Sequence, residues 1–266
     1  MRRRQLIELE DQAWFPAAIR DAATDYLRFM LTLGNNYAPA APLLARLLRQ
    51  SGAARIVDLC SGGGGPWQRM RAELAAQGET PDIVLTDKYP NAPAAALLAD
   101  GAAGGGIAYH PESVDALNLP GALSGLRTMF SAFHHFPPAA AQALLHDAQR
   151  RAAPIAIFET TQRSVVSLLL IAGSPLFVFL AMPFVRPFRW RNLLFTYVIP
   201  VLPLMVLWDG IVSCLRCYTP EELRGLIAAL PPRDDYSWEV GEAWARGAPL
   251  PVTYVLGLPS PDARAS

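Results

Sequence analysis

The sequence is poor in charge and in cysteine. Only 17% of its 266 residues are charged, and 23 basic and 23 acidic side chains cancel to a formal net charge of zero. A chain without a basic excess lacks the attraction by which nucleic-acid-binding proteins hold phosphates, so we expect no nucleic acid partner. Its three cysteines are too few for a disulfide framework, which indicates a reducing compartment.

Two further features are missing. No apolar stretch separates the first four residues from the acidic segment 8–11, and a secretory signal peptide requires one, so we expect the protein in the cytoplasm. Cys214 and Cys217 form a single C-x-x-C pair. Because no second pair completes a zinc site, we predict no bound metal.

The most informative segment that is present is a glycine run after an apolar strand. Ile56 and Val57 lead into Asp58, and the four glycines at 62–65 precede helix-forming residues from Trp67 onward. A strand, a tight turn and a helix in this order leave the turn backbone uncovered, so a ligand can lie directly against it. The pattern predicts a nucleotide-like ligand at the strand end, with a flexible glycine loop as the alternative.

Strand-like and helix-like segments alternate along most of the chain. Strands are predicted at 55–59, 82–86, 107–110, 127–131 and 155–159, and helices at 16–33, 41–50, 67–76, 92–99 and 139–151. This alternation predicts an α/β protein with a Rossmann-like doubly wound sheet. Two later strands, at 236–240 and 252–256, predict a C-terminal antiparallel hairpin on an otherwise parallel sheet.

An apolar, helical insertion interrupts this alternation after the fifth strand. Residues 164–185 and 192–208 contain no charged side chain, and a basic stretch at 186–191 separates them. Both runs approach the length of a membrane span, but prolines break them, and a true hairpin would put the arginines on the far side. We therefore predict that 164–208 dips into the inner face of the membrane, with the arginines at lipid phosphates. A lid over an apolar pocket and a dimer face are the alternatives.

Polar residues stand at four successive strand ends, where doubly wound sheets bind ligands. Asp58 closes the first strand, and Asp87 closes the second, where a carboxylate suits the two hydroxyls of a ribose. Asp115 and Ala116 follow the third strand and offer a carboxylate and a backbone N–H to an adenine edge. Ser131 closes the fourth strand.

With these residues in this order, the chain resembles the class I S-adenosylmethionine-dependent methyltransferases over 54–160 and 218–258. The resemblance implies S-adenosyl-L-methionine as cofactor and methyl transfer as reaction. The family's first loop reads acid-x-Gly-x-Gly-x-Gly, and here Cys60 stands at the first glycine. The implied cofactor-binding residues are Asp58, Cys60, Ser61, Gly62, Gly64, Asp87, Lys88, Asp115, Ala116 and Ser131.

Two other interpretations stay open. An NAD-dependent dehydrogenase would require a third glycine at position 67, which is a tryptophan here. A methyltransferase-like module without activity would act as a binding or partner subunit. Such modules often lose the cofactor acids, and this chain retains all three.

The methyl acceptor is predicted beside a histidine pair that follows the fourth strand. His134 or His135 lies where the methyl group would point, and His134 is our first candidate for a general base. Glu159 and Tyr26 are candidate substrate contacts. The apolar insertion favours a small, lipophilic acceptor, and the oligomeric state stays open.

These expectations divide the chain into four parts. We predict an N-terminal helical cap at 1–52, a catalytic domain at 53–162 with 218–258, the apolar insertion at 163–217, and a flexible tail at 259–266. The cap is expected to close over the cofactor, and the insertion is expected to cover the substrate or to contact the membrane.

Overall fold

A seven-stranded sheet forms the centre of the protein. The computed structural model describes residues 1–90 and 106–260, so the predicted helix at 92–99 and the tail beyond residue 260 lie outside the described residues. The strands are β1 (Arg55–Asp58), β2 (Asp82–Leu85), β3 (Ile107–Tyr109), β4 (Leu126–Phe130), β5 (Ile155–Glu159), β6 (Tyr236–Ala243) and β7 (Val252–Pro259).

The strand order is β3-β2-β1-β4-β5-β7-β6. Strands β1 to β5 are parallel, and β7 runs antiparallel to both β5 and β6. This arrangement confirms the predicted doubly wound, mostly parallel sheet with a C-terminal antiparallel hairpin. Because the order reverses between β1 and β4, a crevice opens at their carboxyl ends, where this class of sheet binds ligands.

Helices cover both faces of the sheet. They are α1 (Ala17–Leu33), α2 (Ala40–Ser51), α3 (Trp67–Ala75), α4 (Pro138–Arg150), α5 (Val165–Ala172), α6 (Ser174–Ala181), α7 (Trp190–Leu193), α8 (Val201–Arg216) and α9 (Pro220–Ala228). Alternate strand residues point to opposite faces: Ile56 packs with α2 and α3, whereas Val57 packs with α4 and α9. Every residue of β4 and β5 is buried, as expected where both faces are covered.

The first two helices belong to different parts of the structure. Helix α2 packs against the sheet through Leu44 and Leu48. Helix α1 instead forms a separate apolar core with the insertion, in which Ile19 and Tyr26 lie with Leu202. The predicted cap at 1–52 stays a prediction as a unit, but its parts differ: α1 and the residues before it contact the insertion, whereas α2 packs against the sheet.

The insertion folds into short apolar helices with breaks at prolines. Among the described residues, one continuous helical segment, Val165–Phe184, is long and apolar enough to cross a membrane. A second candidate span consists of Trp190–Val198 and Val201–Arg216, which meet at an angle of 79°. Pro200 lies at this bend. The preceding helix cannot continue through a proline, because proline has no N–H to donate and its ring clashes with the previous turn.

Two arginines of the basic stretch turn towards α1. A guanidinium nitrogen of Arg189 lies 3.7 Å from Asp25 and 3.8 Å from Asp21, and Arg191 lies 3.6 Å from Asp21. The side chain of Arg189 is only 16% exposed, and Asp25 is fully buried. Arg189 therefore does not point to lipid phosphates as the sequence suggested, because its guanidinium pairs with Asp21 and Asp25 of α1.

We expect Arg189→Gln to lower the free energy of unfolding by about 2 kcal/mol, because it removes one of the two arginines, Arg189 and Arg28, that pair with the buried Asp25 carboxylate. Burial already raises the pKa of Asp25 to about 6 despite the neighbouring arginines. Urea unfolding at pH 7.5, followed by circular dichroism, measures the loss. Arg191→Gln is the matched control: this half-exposed side chain should contribute less than about 1 kcal/mol. Equal, small losses in both variants would contradict the assigned role of Arg189.

Candidate functional site

The loop after β1 turns sharply and lies directly under α1. Cys60, Gly62 and Gly64 have positive φ angles of 56°, 50° and 98°, a conformation in which glycine is unstrained. At Gly63, an added Cβ would lie 3.0 Å from Thr24 Cγ2. The glycine run therefore serves both the turn and the close approach of α1.

Asp58 lies at the end of β1 and fixes the shape of this loop by hydrogen bonds. Its Oδ2 accepts a hydrogen bond from Ser61 Oγ at 2.6 Å, and its Oδ1 accepts one from Thr128 Oγ1 at 2.6 Å. The carboxyl is 2% exposed, and burial raises the pKa of Asp58 to about 6. Both oxygens are used internally, so Asp58 and Ser61 hold the loop in shape.

Asp87 joins the end of β2 to the glycine loop. Its Oδ2 accepts the Gly62 N–H at 2.7 Å, and its Oδ1 accepts the Tyr89 N–H at 2.7 Å. A carboxylate has about four acceptor positions, so one more remains on each oxygen, which matches the two hydroxyls of a ribose. The Tyr109 hydroxyl donates to the Gly62 carbonyl at 2.9 Å and supports the same loop. Lys88 is exposed, and its carbonyl accepts from Ser113.

The remaining predicted cofactor residues lie at the next two strand ends. Asp115 is exposed and caps a short 3₁₀ turn by accepting the Leu117 N–H at 2.9 Å, and Ala116 is buried at the start of this turn. Ser131 has a positive φ of 46°. Its hydroxyl lies 2.5 Å from the Tyr37 hydroxyl and 3.0 Å from Thr160 Oγ1.

The histidine pair lies in a short turn directly after β4. His134 is buried, and its Nδ1 lies 2.8 Å from Glu159 Oε2. The other oxygen of Glu159 accepts the Phe133 N–H at 2.6 Å, so this carboxylate is fixed at both ends. Glu159 therefore orients His134, and its predicted contact with the acceptor stays a prediction.

His135 is surrounded by carboxylates of the N-terminal segment. Its Nδ1 lies 2.9 Å from Asp11 Oδ1 and 2.7 Å from Glu8 Oε2. Burial disfavours the imidazolium, but the charges of Glu8 and Asp11 outweigh that cost and raise the pKa of His135 well above its usual value. The raised pKa favours the protonated imidazole, so His135 is less suited to the general-base role predicted for the pair.

Helix α8 holds the N-terminal segment over the histidine turn. Arg216 Nη1 lies 2.7 Å from Asp11 Oδ2, and its Nε donates to the Leu6 carbonyl at 2.7 Å. Asp209 accepts the backbone N–H groups of Leu9 and Glu10 at 2.7 and 3.1 Å. The structure thus adds Glu8, Asp11, Asp209 and Arg216 to the site, none of which the sequence patterns had indicated.

Tyr26 lies apart from this cluster. It is 3% exposed within the apolar core between α1 and the insertion, and burial raises the pKa of its hydroxyl to about 12. Its predicted contact with the acceptor has no counterpart in this conformation. Tyr26 lies on α1, as the helical spacing predicts, but the face of α1 that carries it is packed against the insertion.

The fold is that of the class I S-adenosylmethionine-dependent methyltransferases. An O-methyltransferase family protein from Burkholderia thailandensis superimposes with a TM-score of 0.50 and 16% identity, over 87% of this chain and 57% of that one. Human N-acetylserotonin methyltransferase, solved with SAM, superimposes with a TM-score of 0.50 and 15% identity, over 95% of this chain and 62% of that one. The small RNA methyltransferase HEN1 superimposes with a TM-score of 0.52 and 14% identity, over 83% of this chain and 25% of that one.

These similarities lie at the level of the fold. No family profile matches the chain, and no curated protein matches it in sequence. The chain spans at most 62% of the length of the three solved structures described above. The reaction and its acceptor therefore have to be argued from the residues of this site.

Proposed function

We propose that the protein transfers a methyl group from S-adenosyl-L-methionine to a small, lipophilic acceptor at the cytoplasmic face of a membrane. The observation that carries the proposal lies at the switch point of the sheet, where Asp87 accepts the Gly62 N–H and Asp58 holds the same loop through the Ser61 hydroxyl. The Asp87 carboxylate is partly exposed and keeps acceptor positions for a ribose diol, and the partly exposed Gly62 lies beside it.

The acceptor belongs at the neighbouring strand ends, β4 and β5. Methyl transfer from a sulfonium is an in-line displacement, so alignment supplies most of the catalysis and a base is needed only to remove a proton. His134 suits an acceptor-activating role because, with Nδ1–H donating to Glu159 at 2.8 Å, the neutral imidazole has its lone pair on Nε2. Two contacts join the end of the insertion to the same region. The Cys217 thiol donates to the Thr161 carbonyl, and the hydroxyl of Tyr218, the next residue, donates to the Phe136 carbonyl.

The insertion supports a lipophilic acceptor and contact with lipid. Many large apolar side chains of this segment are exposed, including Val165, Leu169, Leu176, Leu180, Phe184, Trp190, Val198 and Leu204. An apolar surface of this extent is unusual on a soluble monomer and marks an interaction site. The interfacial preference of tryptophan and the half-exposed Arg191 favour a bilayer surface over a second protein.

The first test of this proposal is cofactor binding. Asp87→Asn should weaken binding of S-adenosylhomocysteine about ten- to one-hundredfold, because charge-assisted hydrogen bonds to the ribose are lost. Isothermal titration calorimetry measures the affinity. Asp82→Asn, an exposed carboxylate on the same strand, is the control and should bind as wild type. Wild-type protein without binding at millimolar ligand would refute the methyltransferase proposal.

The second test concerns the acceptor side. His134→Gln should lower turnover about one-hundredfold and leave the affinity for S-adenosylhomocysteine unchanged, because the side chain acts on the acceptor only. Transfer of a labelled methyl group into a lipid and metabolite extract provides the assay. His146→Gln, an exposed histidine on α4, is the matched control. Normal turnover in the His134 variant would restrict this residue to a packing role.

The third test is membrane contact. Trp190, 77% exposed, should enter the interface, so Trp190→Ala should weaken binding to phosphatidylglycerol vesicles about tenfold. Trp244, 64% exposed after β6, provides the matched control and should be dispensable. Vesicle flotation measures both. If wild-type protein does not float with vesicles at low salt, the insertion is a lid or a protein interface instead.

A further inference from the structure

Three hydroxyl groups meet at the carboxyl ends of β4 and β5. Ser131 follows β4 directly, Thr160 follows β5, and Tyr37 reaches both from the connection between α1 and α2. The Ser131 hydroxyl lies 2.5 Å from the Tyr37 hydroxyl and 3.0 Å from Thr160 Oγ1. The sequence patterns had indicated only Ser131, because Tyr37 and Thr160 join it through the fold and not through local spacing.

The backbone of Ser131 has an unusual conformation. Its φ angle of 46° lies in the left-handed region, which residues other than glycine rarely adopt. The surroundings maintain this conformation, since the Ser131 N–H donates to the Phe158 carbonyl at 2.8 Å and the hydroxyl is held by two neighbours. Strained positions of this kind are concentrated at functional sites, so the direction of the Ser131 hydroxyl is a feature that needs a use.

Tyr37 is the first donor of a hydrogen-bond chain. It is 3% exposed, and its ring packs edge-on against Phe130 with the ring centroids 5.0 Å apart. Burial raises the pKa of the Tyr37 hydroxyl well above its usual value, so this group keeps its proton and donates it. Ser131 Oγ is the near acceptor, at 2.5 Å, whereas Thr160 Oγ1 lies 3.5 Å away, at the outer limit for a hydrogen bond.

Ser131 passes the hydrogen bond on to Thr160. Its Oγ accepts the Thr160 backbone N–H at 3.3 Å in addition to the Tyr37 hydroxyl. A serine hydroxyl accepts two hydrogen bonds and donates one. With both acceptor positions used, the Ser131 proton goes to Thr160 Oγ1 at 3.0 Å. The chain of donors therefore runs from Tyr37 through Ser131 to Thr160.

Thr160 ends this chain with a proton to donate. Among the described residues, the side-chain contacts of its hydroxyl are the Ser131 oxygen, which donates to it, and the distant Tyr37 oxygen. Thr160 is partly exposed and directly follows Glu159, which orients His134. Hydrogen bonds in a chain polarise one another, so the last hydroxyl is a stronger donor than an isolated one. A ligand atom with a lone pair completes the chain.

We propose that the Thr160 hydroxyl donates a hydrogen bond to an oxygen atom of the methyl acceptor, and that Tyr37 and Ser131 position it for this contact. The acceptor is then a lipophilic molecule that carries a hydroxyl, ether or carbonyl oxygen. A donor at this position disfavours a protonated amine, because an ammonium group has no lone pair to offer. This inference rests on the proposed methyl transfer and adds the group by which the acceptor is recognised.

The kinetics of methyl transfer test this contact on the full chain. A dilution series of the lipid and metabolite extract, with labelled S-adenosyl-L-methionine, gives an apparent KM for the acceptor. Thr160→Val keeps the shape of the side chain and should raise this KM about tenfold, as expected for one lost hydrogen bond, whereas Thr160→Ser should stay close to wild type. Tyr37→Phe removes the first donor and should raise the KM about threefold.

The neighbouring residue provides the matched control. Thr161 is also partly exposed, and its contact with Cys217 is made by the backbone carbonyl, so Thr161→Val should leave the apparent KM unchanged. Circular dichroism and the affinity for S-adenosylhomocysteine, expected to be unchanged in every variant, show that each one is folded. Mass spectrometry of the labelled product adds a readout that needs no variant, because the composition of the acceptor must include oxygen.

The possible outcomes separate this inference from the proposed function. An unchanged KM in folded Thr160→Val, a Thr160→Ser variant as impaired as Thr160→Val, or a product without oxygen would overturn the role of Thr160 while methyl transfer itself stands. A normal KM in Tyr37→Phe would overturn the positioning role of the chain. Wild-type protein that binds S-adenosylhomocysteine but transfers no methyl group would overturn both proposals.

Discussion

The burial of Glu8 against the histidine turn is the constraint on which this side of the candidate site depends. Its carboxylate is fully buried and lies 2.7 Å from His135, 3.0 Å from Arg216 and within hydrogen-bonding distance of Ser213. Moving a carboxylate out of water costs several kcal/mol unless opposite charges or hydrogen bonds replace the solvent. The N-terminal segment, the sheet and α8 must therefore assemble together, because each supplies part of that compensation.

Helix α8 links this cluster to the exposed apolar surface. Asp209, Ser213 and Arg216 are spaced to share one face of the helix, and they hold the N-terminal segment. Leu204 and Trp208 are exposed on another face, and the Trp208 indole N–H donates to the Ile7 carbonyl. Contact of this surface with lipid would thus act on the same helix that positions the acidic residues around His135.

The cofactor half of the site was predictable from sequence, whereas the acceptor half was not. Asp58, Gly62 and Asp87 are recognisable because each follows a strand directly, and parallel strands bring their carboxyl ends to one edge. Nothing local connects Glu8 or Asp209 with His135, since they meet only through the packing of distant segments. The apolar composition of 164–208 likewise predicted helices, but not that α1 would supply the carboxylates for Arg189.

Two acids at the same edge of the sheet show how similar motif residues acquire different roles. Asp58 is buried and accepts the hydroxyls of Ser61 and Thr128, so this carboxylate is part of the scaffold. Asp87 accepts two backbone N–H groups, which fix its direction, and it stays partly exposed, so a ligand can reach its remaining acceptor positions. A related distinction applies beside the histidine turn, where Glu159 orients His134 by its hydrogen bonds, whereas Glu8 is held by Arg216 at 3.0 Å and His135 at 2.7 Å. A carboxylate buried as deeply as Glu8 depends on these partners, because without them nothing replaces the water that it loses on burial.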